Sequence, residues 1–324
     1  MRRLVTLLAA LLLGVSMLAT GASAQSYPNK PVQILVGYGP GGGTDIMARV
    51  LAGPLGRQLG QPVVVRNLAG AGGQIAATAL LNEGGDGHAI LALNHPDLLM
   101  TVEAGNAPYK AADFQVVMVD MKDPRVLLVA KGADIASFAD FVDRARKEPG
   151  KLAISYAQGS AQELFAEWLV KRLGIEMLLV PYKGGAPAGN AMLSGEVTAN
   201  LGDDFGRVNL RDRVRALFVA ASDKSPRWPE APPLTAALAP FGVTPPSPDF
   251  LARYGIYVVP AAFKLGHPGN YEKLQKALIQ ARQDPEFQAW LDKNRMQDLS
   301  IGKPGEEFEA AFAADMAELR KPKP

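Results

Sequence analysis

The stretch Val36-Gly37-Tyr38-Gly39-Pro40-Gly41-Gly42-Gly43-Thr44-Asp45 places three consecutive glycines between an apolar run and the start of a helical pattern. With no Cβ atoms to shield them, backbone N–H groups there can crowd round a ligand, and the helix that follows aims its positive end at the same point. Capture of a small anion is the chemistry this suits. Gly37-x-Gly39-x-x-Gly42 also matches the dinucleotide fingerprint, but that motif needs an acidic residue at the end of the second strand to hold the ribose. Here that strand ends in Arg66-Asn67, and no Gly-Lys-Ser/Thr follows the loop. The nucleotide reading is set aside and the anion cradle kept.

Three more stretches open a helix after a strand in the same manner: Gly72-Gly73, Ser160 and Ala186-Pro187. A helix N-terminus contributes about 0.3–1 kcal/mol toward an anion, and each hydrogen bond to a charged group about 1.5–3 kcal/mol. Several together reach micromolar affinity, about −8 kcal/mol, after ordering costs. No catalytic machinery accompanies them. His88, His95 and His267 lack metal-ligand spacing, and Glu163 and Glu167 face each other at i, i+4 without a histidine, so neither a metal nor another cofactor is expected. There is no Gly-x-Ser-x-Gly elbow and no assignable carboxylate pair, which argues against an enzyme. Trp168, Trp228 and Trp290 read as packing residues. Asp203, at a strand end, is either a solvated loop acid or a partner for a ligand donor.

The elements that must position these loops follow from the pattern of apolar residues. Residues 1–24 read as a signal peptide: Arg2-Arg3, an apolar run Leu4–Leu18, and Ala22-Ser23-Ala24 with cleavage expected after Ala24. The mature protein is then periplasmic. Losing Arg2 and Arg3 leaves 32 basic against 32 acidic residues, a neutral chain without the footprint of a nucleic-acid binder. Zero cysteines leave packing alone to hold the fold.

Val32–Val36, Val63–Val65 and Ala89–Leu93 read as strands, alternating with helices over Asp45–Leu59 and from the second glycine bend through Leu81. Pro54 is expected to kink the first helix or end it early. Strands Gln115–Asp120 and Arg125–Ala130 follow each other across a Lys122-Asp123-Pro124 turn, as where a chain leaves one sheet for another. A second set follows: a helix opened by Ser137-x-x-Asp140, strand Leu152–Tyr156, a helix capped by Ser160-x-x-Glu163 and stopped at Gly174, strand Glu176–Val180, the loop Pro181–Pro187, a short helix to Ser194, and strands Val197–Leu201 and Val214–Ala220. Eight prolines between Pro226 and Pro248 predict a connection without regular structure. Strand Gly255–Val259 returns to the first sheet, covered by helices Tyr271–Gln283, Glu286–Asn294 and Glu306–Leu319. The expected class is α/β, in two lobes: 25–121 with 254–324, and 122–253. Each is a mostly parallel sheet flanked by helices, with two hinge crossings and a cleft between.

Taken together, Tyr27-Pro28-x-Lys30-Pro31-Val32, Gly39–Asp45, Leu59-Gly60-Gln61-Pro62-Val63-Val64-Val65-x-Asn67-x-x-Gly70-Ala71-Gly72-Gly73, Pro149–Leu152, Val180-Pro181-Tyr182-Lys183-Gly184-Gly185-Ala186-Pro187-Ala188 and Val214–Leu217 resemble the solute-binding receptors of tripartite tricarboxylate transporters, the Bug receptors. The resemblance implies a periplasmic-binding-protein fold of type II kind, closing on a small carboxylate and serving membrane transporter subunits or a sensor, as a monomer. It implies ligand contacts at Tyr38 and Pro40–Asp45 (Pro40, Gly41, Gly42, Gly43, Thr44, Asp45), with Gly72, Gly73 and Asn94 on the same lobe. Facing them would be Gln158, Gly159, Ser160, Lys183, Gly184, Gly185, Ala186 and Asp203. Three departures stand out: Glu163 where the family usually has a histidine, a short segment from Asp203 to Arg215, and Leu265-Gly266-His267-Pro268-Gly269 where the family has Gly-Thr-Pro. Glu163 is expected to put a negative charge near the cleft and to disfavour highly charged anions. An exported enzyme acting on a carboxylate is the alternative.

Overall fold

The computed structural model describes residues 27–103, 107–245, 251–310 and 312–313. The apolar run β1 (Val32–Val36) lies between β2 (Val63–Asn67) and β3 (Ala89–His95), parallel to both, with Val36 beside Asn67 and Ala92. Beyond β3 the six-stranded sheet continues with β10 (Arg253–Pro260), β4 (Phe114–Asp123) and β11 (Ser300–Pro304), all three pairings antiparallel. The second sheet has the order β7-β6-β8-β5-β9, from β5 (Arg125–Ala130), β6 (Ala153–Ala157), β7 (Leu178–Tyr182), β8 (Ala199–Asp203) and β9 (Val214–Val219). It is parallel across β7-β6-β8 and antiparallel around β5. The mostly parallel sheets expected from the alternation are therefore mixed: the βα units supply the parallel part, and in each sheet the strand entering from a crossing, β10 in the first and β5 in the second, runs the other way, as does the edge strand β11.

Only Pro124 separates β4 from β5. Proline has no N–H to continue a ladder, so the chain changes sheet there. It returns at Arg253, the first residue of β10. These two crossings set Asp123, Arg125 and Arg253 side by side in the seam between the sheets.

Helices cover both faces of the first sheet. On one side α1 (Gly43–Leu59) brings Met47, Leu51 and Leu55 against Ile34 and Val36. On the other, α2 (Gln74–Glu83) and α3 (Asp97–Glu103) pack Ala76, Leu80 and Leu98 against Leu35 and Leu91. In the second lobe α4 (Phe138–Lys147) and α5 (Ala161–Leu173) bury Phe141, Phe165 and Leu169 on one sheet face, and α6 (Gly185–Leu193) buries Ala191 and Met192 on the other.

Several expectations are corrected. Helix α1 runs unbroken through Pro54, which is buried in its packed face; the burial of that face outweighs the missing hydrogen bond. The proline-rich stretch holds α7 (Leu234–Leu238), whose two leucines, one turn apart, enter the second lobe's core. Glu163 Oε2 accepts from Gly159 N (3.3 Å), one residue earlier than a capping box requires, while Ser160 Oγ accepts from Gln162 N. The sequence patterns do not show α3, the 3-10 run Phe205–Arg213, α8 (Ala261–Gly266) or β11. Helices α9 (Pro268–Ala281) and α10 (Pro285–Lys293) stand near their expected places. The expected helix Glu306–Leu319 opens with the 3-10 turn Gly305–Phe308, and its remainder past 313 lies outside the described residues, as does the expected signal peptide. No helix among the described residues is long and apolar enough to cross a membrane.

Candidate ligand-binding cleft

The sheets meet round a polar cavity of about 30 Å³. Tyr38, Gly42, Gly43, Thr44, Asn94, Asp97 and Arg253 line it from the first lobe, and Arg125, Ala157, Ser160, Gln162, Gly185, Asp203 and Arg207 from the second. The loop after β1 delivers the N-terminus of α1, whose N-cap, Gly42, brings no side chain to satisfy it. Thr44 Oγ1 donates to Asn94 Oδ1 (3.1 Å), and Arg253 Nη1 donates to both, at 3.0 and 3.3 Å. Asp97, the first residue of α3, spans the seam: Oδ2 accepts from Tyr38 OH (2.5 Å) and Asn94 Nδ2 (3.3 Å), and Oδ1 from Ala161 N (2.8 Å) at the start of α5 on the facing lobe.

The crossings add a buried charge lattice. Arg253 Nη2 donates to Asp123 Oδ2 (2.5 Å), and its Nε lies 3.4 Å from Asp203 Oδ2. Arg125 pairs closely with Asp203 Oδ1, which also accepts from Gln162 Nε2 (3.2 Å). Burial raises the Asp97 carboxyl above its usual range despite the opposing pull of Arg125 and of the Tyr38 hydrogen bond. Asp123 is raised too, because burial outweighs the pull of Arg253, with smaller pushes from the charges of Asp203 and Asp204. Asp203 goes the other way, because Arg125, Arg253 and Arg207 overcome the burial penalty. Three guanidinium groups, Arg125, Arg207 and Arg253, line the cavity against two carboxylates, Asp97 and Asp203, a balance that suits an anion.

Of the residues singled out from the sequence, Tyr38, Gly42, Gly43, Thr44, Asn94, Ser160, Gly185 and Asp203 come together on this cavity. Asp45 does not. Its Oδ2 accepts from Gly41 N (2.9 Å) and Arg49 Nε (3.1 Å) and its Oδ1 from Asn67 Nδ2 (2.8 Å), so it braces the glycine loop from behind and occupies the Gly41 amide that had been counted as a ligand donor. Pro40 is exposed on the rim, and Ala186 packs near Gly41. Gly72, Gly73, Gln158, Lys183 and Gly184 line a neighbouring crevice in the same seam. There Gly72, at φ +64°, approaches Gly159 so closely that a Cβ would lie 2.7 Å from its carbonyl oxygen. Glu163 does not line the cavity; its carboxylate is held by Gly159 N and Tyr156 OH.

Asp97, Arg125, Gln162, Arg207 and Arg253 escape the sequence reading. Arg125 left a trace there, as a charge heading the apolar run Val126–Val129 straight after the crossing proline. Arg207 left none.

Residues 47–303 match the tripartite tricarboxylate transporter family receptor. Protein BugT of Bordetella pertussis is 34% identical over 249 residues, covering 70% of this chain and 76% of its own length. Among solved structures, the periplasmic binding protein BugD superposes with a TM-score of 0.77 at 24% identity, over 90% of this chain and 96% of that one. MatC from Rhodopseudomonas palustris with bound malate superposes at 0.76 and 22% identity, over 90% and 97%. The matched family is a receptor family, and BugD is a periplasmic binding protein. The chain thus has the two-lobed fold of periplasmic binding proteins and belongs to the tripartite tricarboxylate transporter receptor family.

Proposed function

We propose that the protein captures a small carboxylate in the periplasm and presents it to a tripartite tricarboxylate-type transporter in the membrane. What carries this reading is the convergence, in one buried seam, of the uncapped α1 N-terminus with guanidinium groups from both crossings. A carboxylate entering the open cleft meets the first lobe's amides and Arg253. The second lobe then rotates about Pro124 and the approach to Arg253, so that the first sheet, which keeps Asp123 at the end of β4 and Arg253 at the start of β10, moves as one body and residues 125–252 as the other. Ligand favours the closed form only through contacts absent from the open one, and those of Arg125, Ser160 and Gln162 are of that kind. The malate held by MatC supports a carboxylate as the cargo.

The test is a thermal-shift screen of mono-, di- and tricarboxylates against amino acids and sugars. A ligand at 100 times its dissociation constant stabilises by about 2.7 kcal/mol, so a true cargo raises the melting temperature by several degrees. Stabilisation by sugars alone would overturn the proposal.

A further inference from the structure

Among the described residues five arginines are buried: Arg125, Arg207, Arg227, Arg253 and Arg282. Four pair with aspartates: Arg125 with Asp203, Arg227 with Asp204, Arg253 with Asp123, and Arg282 with Asp120. Arg207, 2% exposed, has no carboxylate in ion-pair contact among the described residues. Its Nε donates to Asn200 Oδ1 (2.6 Å) and its Nη1 to Gly206 O (3.0 Å), both neutral acceptors, and its Nη2 is buried with no partner on the wall of the cleft. Arginine stays protonated at any accessible pH. An uncompensated guanidinium in such a place is costly. Asp203 offsets part of that cost through space, but its oxygens are committed to Arg125, Arg253 and Gln162.

The fold nevertheless holds this side chain in a dedicated slot. Cβ atoms at Gly185 and Gly202 would lie 2.8 and 2.6 Å from its Nη1 and Nε. Asn200 is itself fixed, its Nδ2 donating to Ser155 O and Oγ (both 3.1 Å), so that its Oδ1 faces Arg207. The guanidinium is seated against Gly185, the first residue of α6, a nine-residue helix whose N-cap Gly184 offers no capping side chain. A cation beside a helix N-terminus is unfavourable on its own, and both attract an anion. Arg125 Nη2, likewise buried and unpartnered, faces the same cavity.

We infer that Arg207 reads the charge of the ligand: one anionic oxygen docks on its Nη2 beside the α6 N-terminus, so the ligand carries two anionic ends, the other held at Gly42–Thr44 on the first lobe. This rests on the carboxylate reading above and specifies a short dicarboxylate, since the cavity is small. Calorimetry on the wild-type mature chain and on Arg207→Gln and Arg207→Lys, with malonate, succinate and glutarate and the monoamide of each, tests it. Charge-assisted hydrogen bonds predict that the wild type binds at least one diacid about tenfold or more tighter than its monoamide. Arg207→Gln should bring that ratio to within about threefold, and Arg207→Lys should restore part of it. Equal binding of diacid and monoamide by the wild type, or a ratio unchanged in Arg207→Gln, overturns the inference while leaving carboxylate capture in place. Failure of the wild type to bind any of these acids, with the screen also blank for carboxylates, overturns the carboxylate reading itself.

Discussion

A guanidinium held in a glycine-lined slot depends on atoms that are missing, and that makes its neighbours sensitive. Gly202→Ala would thrust a methyl group against Arg207 Nε, costing about 1–3 kcal/mol as an overpacked core does and turning the guanidinium away from the cleft. We expect a lowered melting temperature and a drop of about tenfold or more in carboxylate affinity by calorimetry; unchanged affinity would show that the slot does not aim the side chain. At the surface, Asp86 offers a pH readout. Burial would raise its carboxyl, but Lys30, the His88 N–H and the His88 ring lower it to about 2. A folded value below the unfolded one means that its stabilisation is complete above about pH 3.8 and is lost as pH falls toward 2. Asp86→Asn should therefore flatten melting temperature against pH in that window, and a wild-type slope in the variant would contradict the assignment. Arg207 was invisible in the sequence because nothing in Asp203–Arg213 distinguishes a buried guanidinium from a solvated one. Asp45 misled for the opposite reason: its place beside the glycines was plain, but the direction of its carboxylate is set by Arg49, one turn along α1, together with Asn67, which only the packed β2 brings near.

Helix termini and strand ends carry the next level of organisation. The first glycine bend, the sheet change near Pro124 and the helices opened by Ser137 and Ser160 were legible because each rests on local chemistry: bare amides, a missing N–H, a capping hydroxyl. Short elements such as α3 and β11 were not, since a one- or two-turn helix after His95-Pro96 and a five-residue edge strand owe their form to the surfaces they dock on rather than to periodicity. Yet α3 supplies Asp97, which caps α5 across the seam through Ala161 N. Asp97→Ala leaves that amide without its acceptor, a loss of about 1–3 kcal/mol incurred only in the closed form, whereas Tyr38 OH and Asn94, on the same lobe as Asp97, lose theirs in both forms. Apparent carboxylate affinity should fall by roughly five- to hundredfold, read by calorimetry with circular dichroism unchanged. Wild-type affinity in this variant would remove Asp97 from the closing contacts.

The two lobes are joined by more than their strand crossings. Asp123 Oδ1 accepts from Phe205 N (2.9 Å), and Phe205 of the second lobe inserts into the core of the first, edge-on to Trp290 at 5.6 Å. Beside it Arg227 bridges Asp204 (2.5 Å) and Asp298 (2.7 Å), linking the proline-rich segment of one lobe to the end of the other. With the lobes pinned at this edge, the opening we propose takes place at the glycine-loop edge, where the facing loops meet. Breaking the buried pair with Arg227→Ala should cost about 3–5 kcal/mol in urea unfolding; a loss below about 1 kcal/mol would show that the tie adds no more than a surface pair. Two lobes, two crossings and a cleft were foreseeable from the order of strands and helices, whereas this third tie joins residues far apart in the chain and has no local signature. The most direct test of closure on a carboxylate is small-angle scattering of the mature chain with and without the diacid that calorimetry shows to bind. The radius of gyration should contract on saturation, and an unchanged radius with the diacid bound would contradict the account.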